Sequence, residues 1–189
     1  MNKKLLALVL LGAARLPARA ELIRNGGFDL GIASWSCAIS GEANCGVSGS
    51  AGRNGGAGLS AYQNAGVGRV SQRFATEIGR TYDLSFYSFT GDPVNRLGYG
   101  LDAAAISWIT VPTASFGLTK ASFVASTAST TLNFYFSTQP QHGSLRLDDI
   151  SVLARAPLPA KVPEPATTVL LALGLLGLGA AARRRSRGA

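Results

Sequence analysis

The sequence predicts an all-β chain: an exported antiparallel β-sandwich followed by a single C-terminal transmembrane helix. Three observations predict it. Short runs between residues 21 and 154 alternate apolar and polar residues with a period of two. Turn signals separate those runs, and no amphipathic helical pattern interrupts them. Finally, the chain is bracketed by two apolar stretches of different length, one near each end.

Residues 1–20 read as a signal peptide. Lys3 and Lys4 form a positive n-region, and Leu5–Ala14 is apolar but too short for a stable span. Ala18-Arg19-Ala20 is a small-x-small cleavage site, which places the cut after Ala20. No cysteine follows closely, which argues against a lipoprotein.

The domain expected over 21–154 contains the only two cysteines, Cys37 and Cys45. In an oxidising compartment they are expected to pair and close a small loop. Seven glycines between Gly41 and Gly58 match no phosphate-binding spacing and read as a surface loop between strands. Val70–Phe74 reads as the first clear strand. Tyr82, Leu84 and Phe86 then share one face of a strand, with Asp83, Ser85 and Tyr87 on the other. Leu118–Ala125 reads as another strand, and Leu132, Phe134 and Phe136 alternate with Asn133, Tyr135 and Ser137 in the same way. In the last run, Leu145–Leu153, the apolar parity of Leu145 and Leu147 switches at Ile150 and Val152. Such a switch needs a bulge, here at Asp148-Asp149.

After a linker at 155–161 comes Val162-Pro163-Glu164-Pro165, where the prolines keep the chain extended. Residues 166–182 contain only Ala, Thr, Val, Leu and Gly. As a helix they span roughly 25 Å, at the short end of what crosses a bilayer. Arg183, Arg184, Arg185 and Arg187 follow and hold the C-terminus in the cytoplasm. The motif, the helix and the basic tail over 162–189 resemble the PEP-CTERM sorting signal of Gram-negative bacteria. That resemblance implies an exosortase-type membrane processing enzyme as partner and a transient inner-membrane anchor. It also implies a cell-surface or extracellular destination, accompanying exopolysaccharide production and biofilm formation.

The formal net charge of +8 suggests a nucleic-acid binder until it is divided by segment. Between Glu21 and Ala160 there are nine basic and nine acidic residues, so the surplus lies wholly in the two terminal segments. A neutral domain with scattered charges has no footprint for a phosphate backbone, and nucleic-acid binding is rejected.

Leu22-Ile23-Arg24-Asn25-Gly26-Gly27-Phe28-Asp29, followed by Trp35, resembles the opening of carbohydrate-binding-module and galactose-binding-like jelly rolls. Leu145–Val152 is similar to their closing strand, and Val70–Phe89 to their paired central strands. The resemblance implies adjacent first and last strands. It also implies a structural calcium ion at that edge, with Asp29 and Asp149 as candidate ligands. The competing reading of those two carboxylates is that they cap turns or face solvent.

Signatures of catalysis are absent from the sequence. His142, the single histidine, falls in a Pro/Gly loop where a solvated side chain is expected. No Gly-x-Ser-x-Gly elbow and no His-Glu-x-x-His helix occurs, and the acids carry no local signature of a glycosidase pair. The chain is therefore expected not to be an enzyme. For sugar rings, whose C–H faces stack on aromatic planes, the candidates are Tyr87, Tyr135 and Trp108, while Trp35 is expected in the core. Core packing or ordinary surface exposure is the competing reading for each. The expected role is an exported surface or matrix protein associated with glycans or exopolysaccharide. The alternative is a self-associating structural surface protein with no sugar ligand.

Overall fold

The computed structural model describes residues 20–41, 44–62, 66–139 and 141–156, and every regular element among them is a strand. The expected cleavage residue Ala18, the sorting motif Val162–Pro165, the expected helix over 166–182 and the basic tail lie outside those residues. Among the described residues no helix is long and apolar enough to cross a membrane.

Ten strands follow in chain order: β1 (Ser36–Gly41), β2 (Gly46–Ser48), β3 (Gly58–Tyr62), β4 (Gly66–Ala75), β5 (Thr81–Thr90), β6 (Arg96–Leu101), β7 (Ser107–Ile109), β8 (Gly117–Val124), β9 (Ser129–Thr138) and β10 (Ser144–Ala154). They form two five-stranded sheets, and every pairing is antiparallel. The front sheet runs β1-β4-β9-β6-β7 and the back sheet β2-β3-β10-β5-β8. The period-two alternation places one side of each long strand between the sheets. Leu84 and Phe86 of β5 meet Leu132, Phe134 and Phe136 of β9 in that core. Phe86 and Phe134 make an edge-to-face contact, with centroids 4.8 Å apart, that joins the two sheets. The expected sandwich is therefore present.

The opening motif seals one end of the core. Phe28 is fully buried and stacks on Trp35, which is core as expected, and the Trp35 indole donates to the Asn25 carbonyl at 3.0 Å. The Asn25 side chain donates to the carbonyls of Gly31 and Ala33 and accepts from the amide of Leu30, so one residue ties the whole turn together. Gln72, buried in β4, pairs with both backbone groups of Arg24 at 2.7 and 2.8 Å.

The predicted bulge is present: the β10–β5 register shifts between Asp148 and Ser151, with Asp149 in the left-handed region. Before the bulge β10 pairs with β3; after it, Glu21 bridges Leu153 and the Glu21 carboxylate accepts from the amide of Val152. The domain's first and last segments are thus adjacent, as expected.

The glycine-rich stretch is more ordered than a simple loop. It contains β2, paired with β3 over Gly46–Ser48. Cys37 in β1 and Cys45 just before β2 form the expected disulfide, which clips the front-sheet edge to the back-sheet edge. All six residues of β1 are solvent-exposed, so burial contributes little to holding that strand. Replacing both cysteines with serine should cost about 2–3 kcal/mol by the loop-closure estimate for so short a loop. Urea unfolding checks this, and an unchanged midpoint would contradict the assigned role of the crosslink.

Candidate functional site

The outer face of the front sheet carries an aromatic site built on glycine. Leu97, Tyr99 and Leu101 of β6 turn toward the core, so Arg96, Gly98 and Gly100 turn outward. Gly98 pairs with Tyr135 of β9 on one side and with Trp108 of β7 on the other. A Cβ at Gly98 would lie 2.5 Å from Ile106 and 3.0 Å from the Trp108 ring, so only glycine permits Trp108 to lie down on the strand. From the other side, the Tyr135 ring comes to 3.7 Å of the Cβ position of Gly100. Two rings therefore reach over β6 from opposite sides. Trp108 keeps 44% of its surface exposed there, which assigns the facing that its sequence context leaves open.

The same row continues across the sheet, because Tyr135 pairs with Arg69 of β4 and Arg69 with Ala38 of β1. A shallow depression of about 270 Å³ beside Tyr135 is lined by Ile39, Val67 and Arg69. Arg96 stacks over the Trp108 ring at 4.7 Å.

Tyr87 belongs elsewhere. It lies on β5 in the back sheet, so it shares no face with Tyr135 and Trp108. Its ring is covered by the Arg53 guanidinium at 4.1 Å. Arg53 in turn donates through Nε and Nη2 to Asp149 Oδ2 at 2.8 and 2.6 Å, and its backbone amide donates to Asp148 Oδ2 at 2.7 Å.

Asp29, Asp148 and Asp149 face one point beside Gly27, with carboxylate oxygens 3.5, 3.8 and 3.9 Å from its Cβ position. The arrangement does not fit a calcium ion as it stands. Asp149 is committed to Arg53, and Asp148 accepts the amides of Arg53 and Asp149. Among the described residues no group of three or more His, Cys, Asp or Glu is disposed to hold a metal. The cation beside these acids is the chain's own guanidinium. Burial pushes the Asp148 carboxyl above its ordinary range, opposed by the two amides.

His142 is not simply solvated. Its Nδ1 lies 2.8 Å from Asp92 Oδ2, linking the turn after β5 to the turn before β10. The Asp92 carboxyl is held below its ordinary range, chiefly by the Val94 amide and then by His142.

Sequence reading named Tyr135 and Trp108 but missed the glycine floor between them, and with it Arg69 and Arg96. The signal was present as Arg96-x-Gly98-x-Gly100, an outward alternation without bulky side chains. Arg53 carried no local signal, since its partners lie nearly a hundred residues away.

Residues 161–185 match the family model described as the PEP-CTERM protein-sorting motif, which marks an exported protein with a C-terminal sorting signal. No curated protein matches the chain. Among solved structures, the chain is similar to a family 61 carbohydrate-binding module in complex with β-1,4-galactotriose. That match has a TM-score of 0.56 and 14% identity, and covers 72% of this chain and 99% of the module. A family 4 carbohydrate-binding module gives a TM-score of 0.53 at 17% identity, covering 70% and 99%. A Stig cyclase from Fischerella sp. TAU gives 0.55 at 13%, covering 75% and 100%. At these identities the likeness is one of fold, the jelly-roll sandwich, and that fold is found in enzymes as well as binding modules.

The raised Asp148 pKa has a testable sign. The folded value lies above the unfolded value of about 3.9, so the associated stability is fully present below that pH and is lost as pH rises through the folded pKa. Asp148→Asn should lower stability by weakening the two amide contacts, and the gap to wild type should narrow between about pH 3.5 and about pH 7. Urea midpoints of both proteins at the two pH values test this, and a widening gap would refute it.

Proposed function

We propose that the protein is a non-catalytic surface or matrix component, sorted by an exosortase-type enzyme, whose sandwich holds a glycan on the outer face of the front sheet. The observation that carries this reading is the Tyr135–Gly98–Trp108 row. Two aromatic rings reach over β6, whose Gly98 and Gly100 are buried, and their exposed parts form an apolar strip that the C–H face of a pyranose can meet. Shallow aromatic surfaces on a rigid sheet suit polymers that pass across them. Arg69 and Ser137, next to the row, supply hydrogen-bonding groups for sugar hydroxyls. The sorting motif adds the destination, where exopolysaccharide is the abundant glycan. This reading assigns no catalytic role among the described residues: the single histidine ties two turns together and the clustered acids Asp148 and Asp149 are engaged by Arg53 and backbone amides.

Retention of the full chain, in mild detergent, on immobilised polysaccharides tests the binding. Trp108→Ala and Tyr135→Ala should each weaken retention about tenfold, roughly 1.4 kcal/mol, the order of one good aromatic contact. Tyr87→Ala should leave retention unchanged. Absence of retention on every polymer, with concentration-dependent sedimentation, would favour a self-associating structural protein instead.

Sorting has its own test. Glu164→Gln should leave unprocessed precursor in the inner membrane, seen as a larger membrane-bound band. Normal release of that variant would discredit the exosortase assignment.

A further inference from the structure

The domain's charges balance only in sum. The five strands of the front sheet contain Arg69, Arg73 and Arg96 and not one Asp or Glu. The back-sheet strands carry three acids, Asp83, Asp148 and Asp149, against Lys120 and Arg146. The aromatic row therefore sits on a face whose strands are uniformly cationic, while the rest of the domain carries the compensating acids.

Two of the three arginines border the aromatic row. Arg69 occupies the position beside Tyr135, and Arg96 lies on the Trp108 ring. Neither has an acidic partner among the described residues, whereas Arg53, stacked on Tyr87 in the same manner, is neutralised by Asp149. Asp102, in the turn beyond Gly100, is engaged by the Thr131 amide at 2.8 Å. Stacking on an indole fixes the plane of a guanidinium and leaves its N–H edge free. That edge matches the two oxygens of a carboxylate. From Arg69 on β4 to Arg96 on β6 is two inter-strand spacings, about 10 Å across the sheet, which leaves room for a short stretch of sugar chain between the two cations.

We propose that the ligand of this face is an acidic polysaccharide, with a sugar ring lying on Tyr135, the chain passing along the exposed part of Trp108, and ring carboxylates bound by Arg69 and Arg96. The inference rests on the glycan reading of the same face and adds the chemical class. A neutral polymer would leave two unpaired guanidiniums beside the bound chain. A polyuronate would meet both with two-pronged, charge-assisted hydrogen bonds, which are stronger than hydrogen bonds to neutral hydroxyls.

Affinity electrophoresis of the full chain in detergent, through gels containing polygalacturonate or unsubstituted galactan, tests it. Polygalacturonate should retard the protein at least about tenfold more strongly at low salt, and the advantage should shrink as salt rises to about 0.5 M. Arg69→Gln and Arg96→Gln should each cut the ratio of polygalacturonate to galactan retention about tenfold. Arg73→Gln serves as a control, because the Arg73 Nε is turned to Ser129 at the far end of the sheet. Unchanged thermal midpoints establish that the variants are folded.

Galactan retention equal to or above that of polygalacturonate, or arginine variants that keep the preference, would overturn the inference and leave the glycan reading standing. Retention by neither polymer, nor by any other, would remove both. If Trp108→Ala is still held by polygalacturonate as tightly as wild type, or DNA holds the protein equally well, the face is a simple ion exchanger and the inference fails.

Discussion

The fold depends on one close approach, that of the opening motif to the bulge in β10. The Ile150 carbonyl lies 2.0 Å from where a Cβ of Gly26 would stand, and the Ile150 amide donates to the Gly26 carbonyl at 3.1 Å. Any side chain at Gly26 would separate the two segments. With the approach intact, Phe28 reaches the core, Trp35 covers it, and Gln72 closes the segment against β4. The bulge has a second consequence. It lets β10 give up β3 as a neighbour and accept Glu21, so the chain enters and leaves the domain side by side.

The front sheet is built for a surface rather than for extra burial. Its long inner strands, β4 and β9, carry the packing, through Val70, Phe74, Leu132, Phe134 and Phe136. The edge strand β1 buries little and is held by its ladder to β4 and by the disulfide. β6 gives up two outward side chains, which weakens the strand intrinsically but clears the ground beneath Trp108. On the proposed reading that local loss of stability is offset by the crosslink and the core, as is usual where function sets a local choice against stability.

What was legible in the sequence follows from this division. Strands whose inner residues are large, β4, β5, β9 and β10, announced themselves by alternation, β8 was legible although its Leu118 and Val124 face solvent, and the parity break in β10 announced the bulge. The missed strands, β1, β2, β3, β6 and β7, are short, glycine-bearing or exposed, and their pairing is imposed by neighbours distant in sequence. The aromatic candidates were visible as outward residues, but alternation says only which side of a strand a residue takes. It cannot say which sheet the strand joins, and so Tyr87 was grouped with Tyr135.

Charge shows the same limit most clearly. Counting residues between Glu21 and Ala160 gives neutrality, and on that sum a charged ligand looks excluded. Sum and distribution are different quantities, because screening confines each charge to a neighbourhood of about 10 Å, less than the breadth of a five-stranded sheet. An approaching polymer meets one face, not the total. Two arginines stacked on aromatic rings make the point at the level of single residues. Arg53 is spent on Asp149 and anchors a loop, whereas Arg96 keeps its hydrogen-bonding edge free above a sheet that holds no acid. The same contact is structural where a carboxylate of the chain completes it, and is available to a ligand where none does.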